Sequence, residues 1–317
     1  MHNVFALQSP PAMAGEFDFI EWIRAQQMSS ANAAAVVEFV QVPPGDDLAV
    51  LKWLGGADDL LLVGVDQVLD GVHFDASHHS PRAIGRKAMN RNLSDCAAMG
   101  CFPAAAVVAV ALPKGASMDY AKELYLGLRE AGDDFNCPIV GGDTGTWSGK
   151  LVVTVTILGR SGGVKPVTRS GAKPGEAIYV TGALGGSIRG RHMTFEPRVL
   201  LGRALAKLGT VSAMIDLSDG LSRDIRHICQ QSGVGAVIEA AEVPTHDDAV
   251  EMRRDGHSPL EHALHDGEDY ELLFTTAPAG EVSWAKRIGI ITAEPGIWLQ
   301  TAEGREALEP KGWEHSL

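Results

Sequence analysis

Short β-prone apolar runs, most of them closed by glycine or an acidic residue and several followed by a helical stretch, recur along this chain and restrict it to layered α/β architecture. LLLVGV, AAAVVAVAL, LVVTVTILGR, AIYVTG, SAMIDLSDG and GAVIEA are such runs. Ser80–Gly100 reads as a long helix, with Ser80 as N-cap, Pro81 in the first turn and Gly100 at the end. Further helices are expected over 119–135, 197–208, 221–232 and 246–254, and an earlier one over 16–27. AAAVVAVAL reads as a buried strand, CPIV as a short one, and GEDYELLFTT as a strand entered through a charged turn. With 317 residues the chain can bury two cores. The break SGGVKPVTRSGAKPG marks the expected boundary: a loose tail over 1–15, an N-terminal domain over 16–160 and a C-terminal domain over 161–317.

Six aspartates stand at the ends of apolar or glycine-rich runs: Asp47, Asp66, Asp95, Asp143, Asp216 and Asp219. Taken singly, each is more readily a turn former or helix cap. Brought together by a fold, such carboxylates make an oxygen-lined nest for hard divalent cations. IVGGDTG either exposes backbone N–H groups to a phosphate beside Asp143 or is a tight turn. Arg169 is a candidate phosphate clamp, or a surface arginine. His73 reads as structural on its own, Glu268 and Asp269 as a solvated turn, and Trp313 as a pinned tail or a flat wall for a ring-shaped ligand.

Several classes are excluded. There is no GxxxxGK[ST] cradle, no GxGxxG after a strand and no GxSxG elbow. A net charge of −13 with no basic run argues against nucleic acid and favours metal ions that bring in an anionic substrate. Cys96, Cys101, Cys137 and Cys229 lack zinc spacing and read as buried thiols of a reducing compartment. No run approaches a membrane span and the first residues do not read as a secretory signal, so a cytoplasmic location is expected.

GDDLAV, DGVHF, IGRKAMNRNLSDCAAMG, VGGDTG, TRSGAKPG, YVTGALGGS, DLSDGLSRDIRHI, GEDYELLFT and KGWEH follow one another from Gly45 to His315. In that order they resemble the thiamine-monophosphate kinases, within the aminoimidazole ribonucleotide synthetase-like superfamily. The resemblance implies an α/β (α+β), two-domain fold whose N-terminal sheet pairs across a homodimer. It implies ATP and several Mg2+ ions in a cleft between the domains, and transfer of the γ-phosphoryl group to thiamine monophosphate. By motif position, Asp47, Asp66, Asp95, Asp143, Asp216 and Asp219 would be metal ligands, with Asp143 and Asp216 catalytic. Gly142, Asp143, Arg169, Ser218 and Tyr125 would meet ATP; His73, Glu268 and Trp313 would line the acceptor pocket.

The chain departs from the family pattern at Gly64 and Val65, where a Ser/Thr pair is usual before Asp66, and at GGDTGTW. It is also shorter between Gly190 and Pro197, and carries His265 and Asp266 before Gly267. Two alternatives are a sibling ATP-using enzyme with another acceptor, and a non-catalytic nucleotide- or thiamine-phosphate-binding protein.

Overall fold

The structure, a computed structural model, describes residues 40–42, 46–52, 59–277 and 282–312. The tail expected over 1–15, the helix expected over 16–27 and Trp313 lie outside them. Among the described residues the strands form two sheets. The first runs β1 (Val40–Val42), β2 (Ala49–Lys52), β3 (Leu60–Leu69), β6 (Val152–Arg160), β4 (Phe102–Pro113), β5 (Ile139–Trp147). Its pairs are antiparallel except β4–β5, which is parallel.

Strand alternation divides this sheet sharply. Leu62, Val68, Val108, Val153, Val155 and Ile157 point to one face and share a core with Ile84, Met89, Leu93, Leu124 and Leu128. Those last five belong to α1 (Pro81–Ala98) and α2 (Met118–Asp133). Val65 and Val107, aligned through Thr156, lie on the opposite face, which no described element covers. β4 is therefore buried on alternate residues, where the unbroken apolar run had predicted a buried strand.

α1 begins where the sequence predicts: the Ser80 hydroxyl accepts from the Ala83 N–H at 3.2 Å, and Pro81 opens the helix. Its backbone touches two other helices. A Cβ on Gly127 of α2 would lie 1.9 Å from the Arg82 carbonyl oxygen. A Cβ on Gly202 of α4 (Val199–Leu208) would lie 2.0 Å from the Ala97 oxygen. Only glycine permits such an approach.

The second sheet contains β7 (Ala177–Val180), β8 (Val211–Asp216), β9 (Gly235–Glu239), β10 (Leu272–Thr276), β11 (Lys286–Thr292), β12 (Ile297–Gln300) and β13 (Arg305–Ala307). Their order is β13-β12-β9-β11-β7-β10-β8, with β9–β12 the parallel pair. Tyr179, Met214 and Phe274 face α4 and extend the first core; Ile178, Ile215 and Leu273 face α5 (Leu221–Ser232) and form a second. Among the described residues no helix is long and apolar enough to cross a membrane, and all four cysteines are free and buried.

Two segments differ from expectation. The strand at CPIV does not stop at the glycines: β5 runs through Gly141, Gly142 and Asp143 to Trp147 as an exposed sheet edge. Gly142 makes this possible, since a Cβ there would lie 2.1 Å from the Val108 oxygen. Conversely, the charged turn before β10 runs on through Tyr270 and Glu271, which were expected in the strand. Glu268 and Tyr270 adopt left-handed backbones, φ 62 and φ 53, and β10 starts only at Leu272.

Candidate functional site

One face of α1 carries a polar stripe. Lys87, Arg91, Ser94 and Asp95 stand at i, i+4, i+7 and i+8, hence along a single stripe of the helix. Each meets a carboxylate delivered by another element.

At the C-terminal end of the stripe, Asp95 meets Asp47, which precedes β2, and Asp216, the last residue of β8. One oxygen from each lies within 4.8 Å of the others. The Ser94 hydroxyl donates to Asp216 Oδ2 at 2.5 Å. Arg169 grips Asp47 with Nε at 3.2 Å and an Nη at 3.0 Å, while its backbone N–H donates to Asp46 at 2.6 Å. Burial, then the charges of Asp66, Asp216 and Asp47, push Asp95 well above the usual carboxylate range. Asp216 is raised likewise by burial and Asp47. Three crowded hard oxygen donors with this surplus of negative charge fit a divalent cation.

Beyond β8 the turn carries Ser218 and Asp219. Asp219 joins Asp224 and His227 of α5 in a second group, again with ligand atoms within 4.8 Å. Gly312 packs against this turn, with Arg223 donating to its carbonyl at 3.2 Å.

At the N-terminal end of the stripe, the buried Lys87 ammonium donates to Glu268 at 2.8 Å and to the His73 carbonyl. Burial lowers Lys87 to about 8 against the opposing pull of Glu268. One turn on, Arg91 Nε donates to Asp66 Oδ2 at 3.0 Å, and its Nη1 lies 4.0 Å from Glu268. Burial works against the Arg91 charge, but Asp66, Tyr270 and Glu268 outweigh it and raise its pKa. The left-handed Glu268 is fixed by its N–H donating to the Ser218 carbonyl at 2.8 Å and by the Tyr270 hydroxyl at 3.3 Å. Tyr270 in turn stacks on Phe195 with ring centroids 3.8 Å apart.

The structure thus brings Asp47, Asp95 and Asp216 together, places Asp66 and Asp219 beside them, and joins His73 to Glu268 through Lys87. Arg169 is committed to Asp47, and Glu268 is held against Lys87 rather than in a solvated turn. Asp143 stands apart. Gly142 is three strands from Asp66, along the line Asp66–Val155–Val108–Gly142, a span of about 14 Å at ordinary strand spacing. Asp143 itself opposes Ala109 and belongs to the face that no described element covers. Gly142, Asp143 and Tyr125 instead line a cavity of about 460 Å³ between α2 and β5.

Lys87, Arg91, Ser94 and Asp224 were not picked out from the sequence. The polar i, i+4, i+7 stripe in RKAMNRNLSD was the available signal for the first three.

Residues 45–161 match the family model described as AIR synthase related protein, N-terminal domain. The thiamine-monophosphate kinase of Rhodopirellula baltica is 41% identical over 291 residues, covering 87% of this chain and 92% of the relative. That of Bacillus subtilis is 31% identical, covering 95% and 99%. Among solved structures, AaThiL complexed with AMPPCP and TMP is 28% identical and superposes with a TM-score of 0.83, covering 98% of this chain and 100% of that one.

Proposed function

The chain belongs to the thiamine-monophosphate kinase family, and from that premise we propose that it converts thiamine monophosphate to thiamine diphosphate with ATP as phosphoryl donor. The bond from the γ-phosphorus to the β–γ bridging oxygen breaks, a bond from that phosphorus to an acceptor phosphate oxygen forms, and ADP departs. The attacking oxygen is already ionised, so the protein needs no strong base; it must align two anions and offset their repulsion.

The observation that carries this reading is the charge pattern along α1. Asp47, Asp95 and Asp216 would hold Mg2+, with Asp219 adjoining. Magnesium bound there supplies neutralisation of the donor phosphate oxygens. Ser94 orients Asp216, and Arg169 steadies Asp47 at the edge of the same nest. His73 and Glu268 would border the acceptor, held in place by Lys87; Trp313 keeps the assignment its motif gives it. Gly142, Asp143 and Tyr125 would meet ATP at the α2–β5 cavity, Arg169 and Ser218 at the nest.

One chain leaves these two ATP-facing groups apart, one at the β5 edge and the other at the nest around Asp95 and Asp216, which supports a homodimer. The face that no described element covers carries Asp143 together with Val65 and Val107, 60% and 39% exposed, the kind of apolar surface a second copy covers. Domains over 16–160 and 161–317, each centred on one sheet, are part of the same reading, as is a cytoplasmic location, in keeping with four free buried thiols.

ADP release with Mg2+ and thiamine monophosphate, with the product identified by mass, tests the proposal. Stoichiometric thiamine diphosphate is the expected result. Saturable ATP binding without that product would overturn it in favour of a sibling acceptor or a binding protein.

A further inference from the structure

Asp66 shares its strand face with Leu62, Gly64 and Val68, none of which brings an oxygen-bearing side chain. Its lateral neighbour on β6 is Val155. A Cβ at Gly64 would lie 2.2 Å from Leu48 Cδ2 and 3.3 Å from the Asp47 carbonyl oxygen, and Leu48 is itself buried. The space for a side-chain ligand there is already filled. Among the described residues Asp66 joins neither of the carboxylate groups suited to a metal.

What Asp66 does meet is a guanidinium. Arg91 Nε lies 3.0 Å from its Oδ2, and the Arg91 side chain is only 14% exposed. A dication seated on this carboxylate would face that fixed positive charge at close range, although Asp66 itself is 32% exposed. The donor set at Asp66 therefore does not fit a hard divalent ion, whereas the set at Asp47, Asp95 and Asp216 does.

We propose that Arg91 is a built-in cation that takes the place of a divalent ion at Asp66, leaving Asp66 outside the metal-binding set of this chain. This rests on the metal-assisted reading of the neighbouring nest. Arg91 acts as a positioning residue: it holds Asp66 in an ion pair and extends the same positive charge toward Glu268, 4.0 Å away.

The test is the number of Mn2+ ions bound per chain in the presence of AMPPCP, counted from the electron paramagnetic resonance signal of free Mn2+. It is run on the full-length wild type, Asp66→Asn and Arg91→Met. Asp66→Asn is expected to bind as many ions as the wild type. Loss of an ion in Asp66→Asn, while the wild type binds Mn2+ normally, overturns the inference and leaves the kinase reading standing. If Asp66→Asn does not fold, Arg91→Met decides. An additional ion, drawn to the carboxylate that has lost its partner, supports the inference; an unchanged count overturns it. A wild type that binds no Mn2+ with the analogue sinks the metal reading of the whole site, and this inference with it.

Discussion

At the Asp47–Asp95–Asp216 end of the stripe, carboxylates crowd one another, and burial leaves their charge poorly offset. Four and eight residues back along α1, Asp66 and Glu268 meet Arg91 and Lys87 in close ion pairs. Both ends are acidic and both are largely buried, yet one leaves room for cations from solution and the other supplies its own. Under the proposed function, the difference separates a seat where phosphate would arrive with metal from one where it would meet a surface that is already neutral.

Breaking the metal-seeking end should cost most. Asp216→Asn removes a charge from the nest while keeping its shape, and turnover should fall by about 10³-fold or more, a loss typical of removing a key electrostatic group. Steady-state ADP release, with circular dichroism to confirm the fold, checks it; near-normal turnover would dissolve the contrast.

Breaking the self-neutralised end should act on the acceptor. Lys87→Met strands a carboxylate beside the pocket. Losing a hydrogen bond between charged groups is worth about 1.5–3 kcal/mol, or roughly a 10- to 100-fold rise in KM for thiamine monophosphate, with KM for ATP little changed. Equal changes in both constants would count against separate roles for the two ends.

pH sharpens the same comparison. Lys87 has a native pKa of about 8 against an ordinary 10.5, because burial outweighs Glu268, with Arg91 adding repulsion; His192 is the other titratable group beside it. The unfolded chain binds more protons between those values, so this group adds stability as pH rises from about 8 to 10.5. Function runs the other way, since loss of the ammonium charge loosens Glu268. KM for thiamine monophosphate should climb above about pH 8 in the wild type and stay flat in Lys87→Met.

The smallest effect belongs outside the stripe. Arg82 pairs with Glu130 at 2.6 Å on the solvent side of α1, where water already screens both charges. Arg82→Gln should leave the melting temperature and both KM values at wild-type levels, whereas a clear loss would mean that charge pairs on α1 matter regardless of burial.

Most strands and helices were legible because periodicity and caps report backbone geometry directly: Ser80, Pro81 and Gly100 bound α1 as their chemistry requires. The glycine-rich β5 and the left-handed Glu268–Tyr270 segment were not. Glycine carries no face to read, and a positive φ at a bulky residue is imposed by tertiary partners such as Ser218 and Phe195. Three of the six aspartates converge as expected. Lys87 and Arg91 were hidden because a charged helix residue ordinarily faces water, and only the arrival of Glu268 and Asp66 from distant segments explains their burial.

The backbone contacts of Gly127 and Gly202 with α1 have a consequence for how the two substrates are spaced. A helix wedged against two others without side-chain cushioning cannot slide or roll in small steps. From Lys87 to Asp95 it measures about 12 Å along its axis, a fixed calliper between the proposed donor and acceptor seats. Any adjustment made at one jaw is transmitted to the other, so on that proposal the spacing of the two seats is set by the rise of a helix rather than by the mobility of a loop.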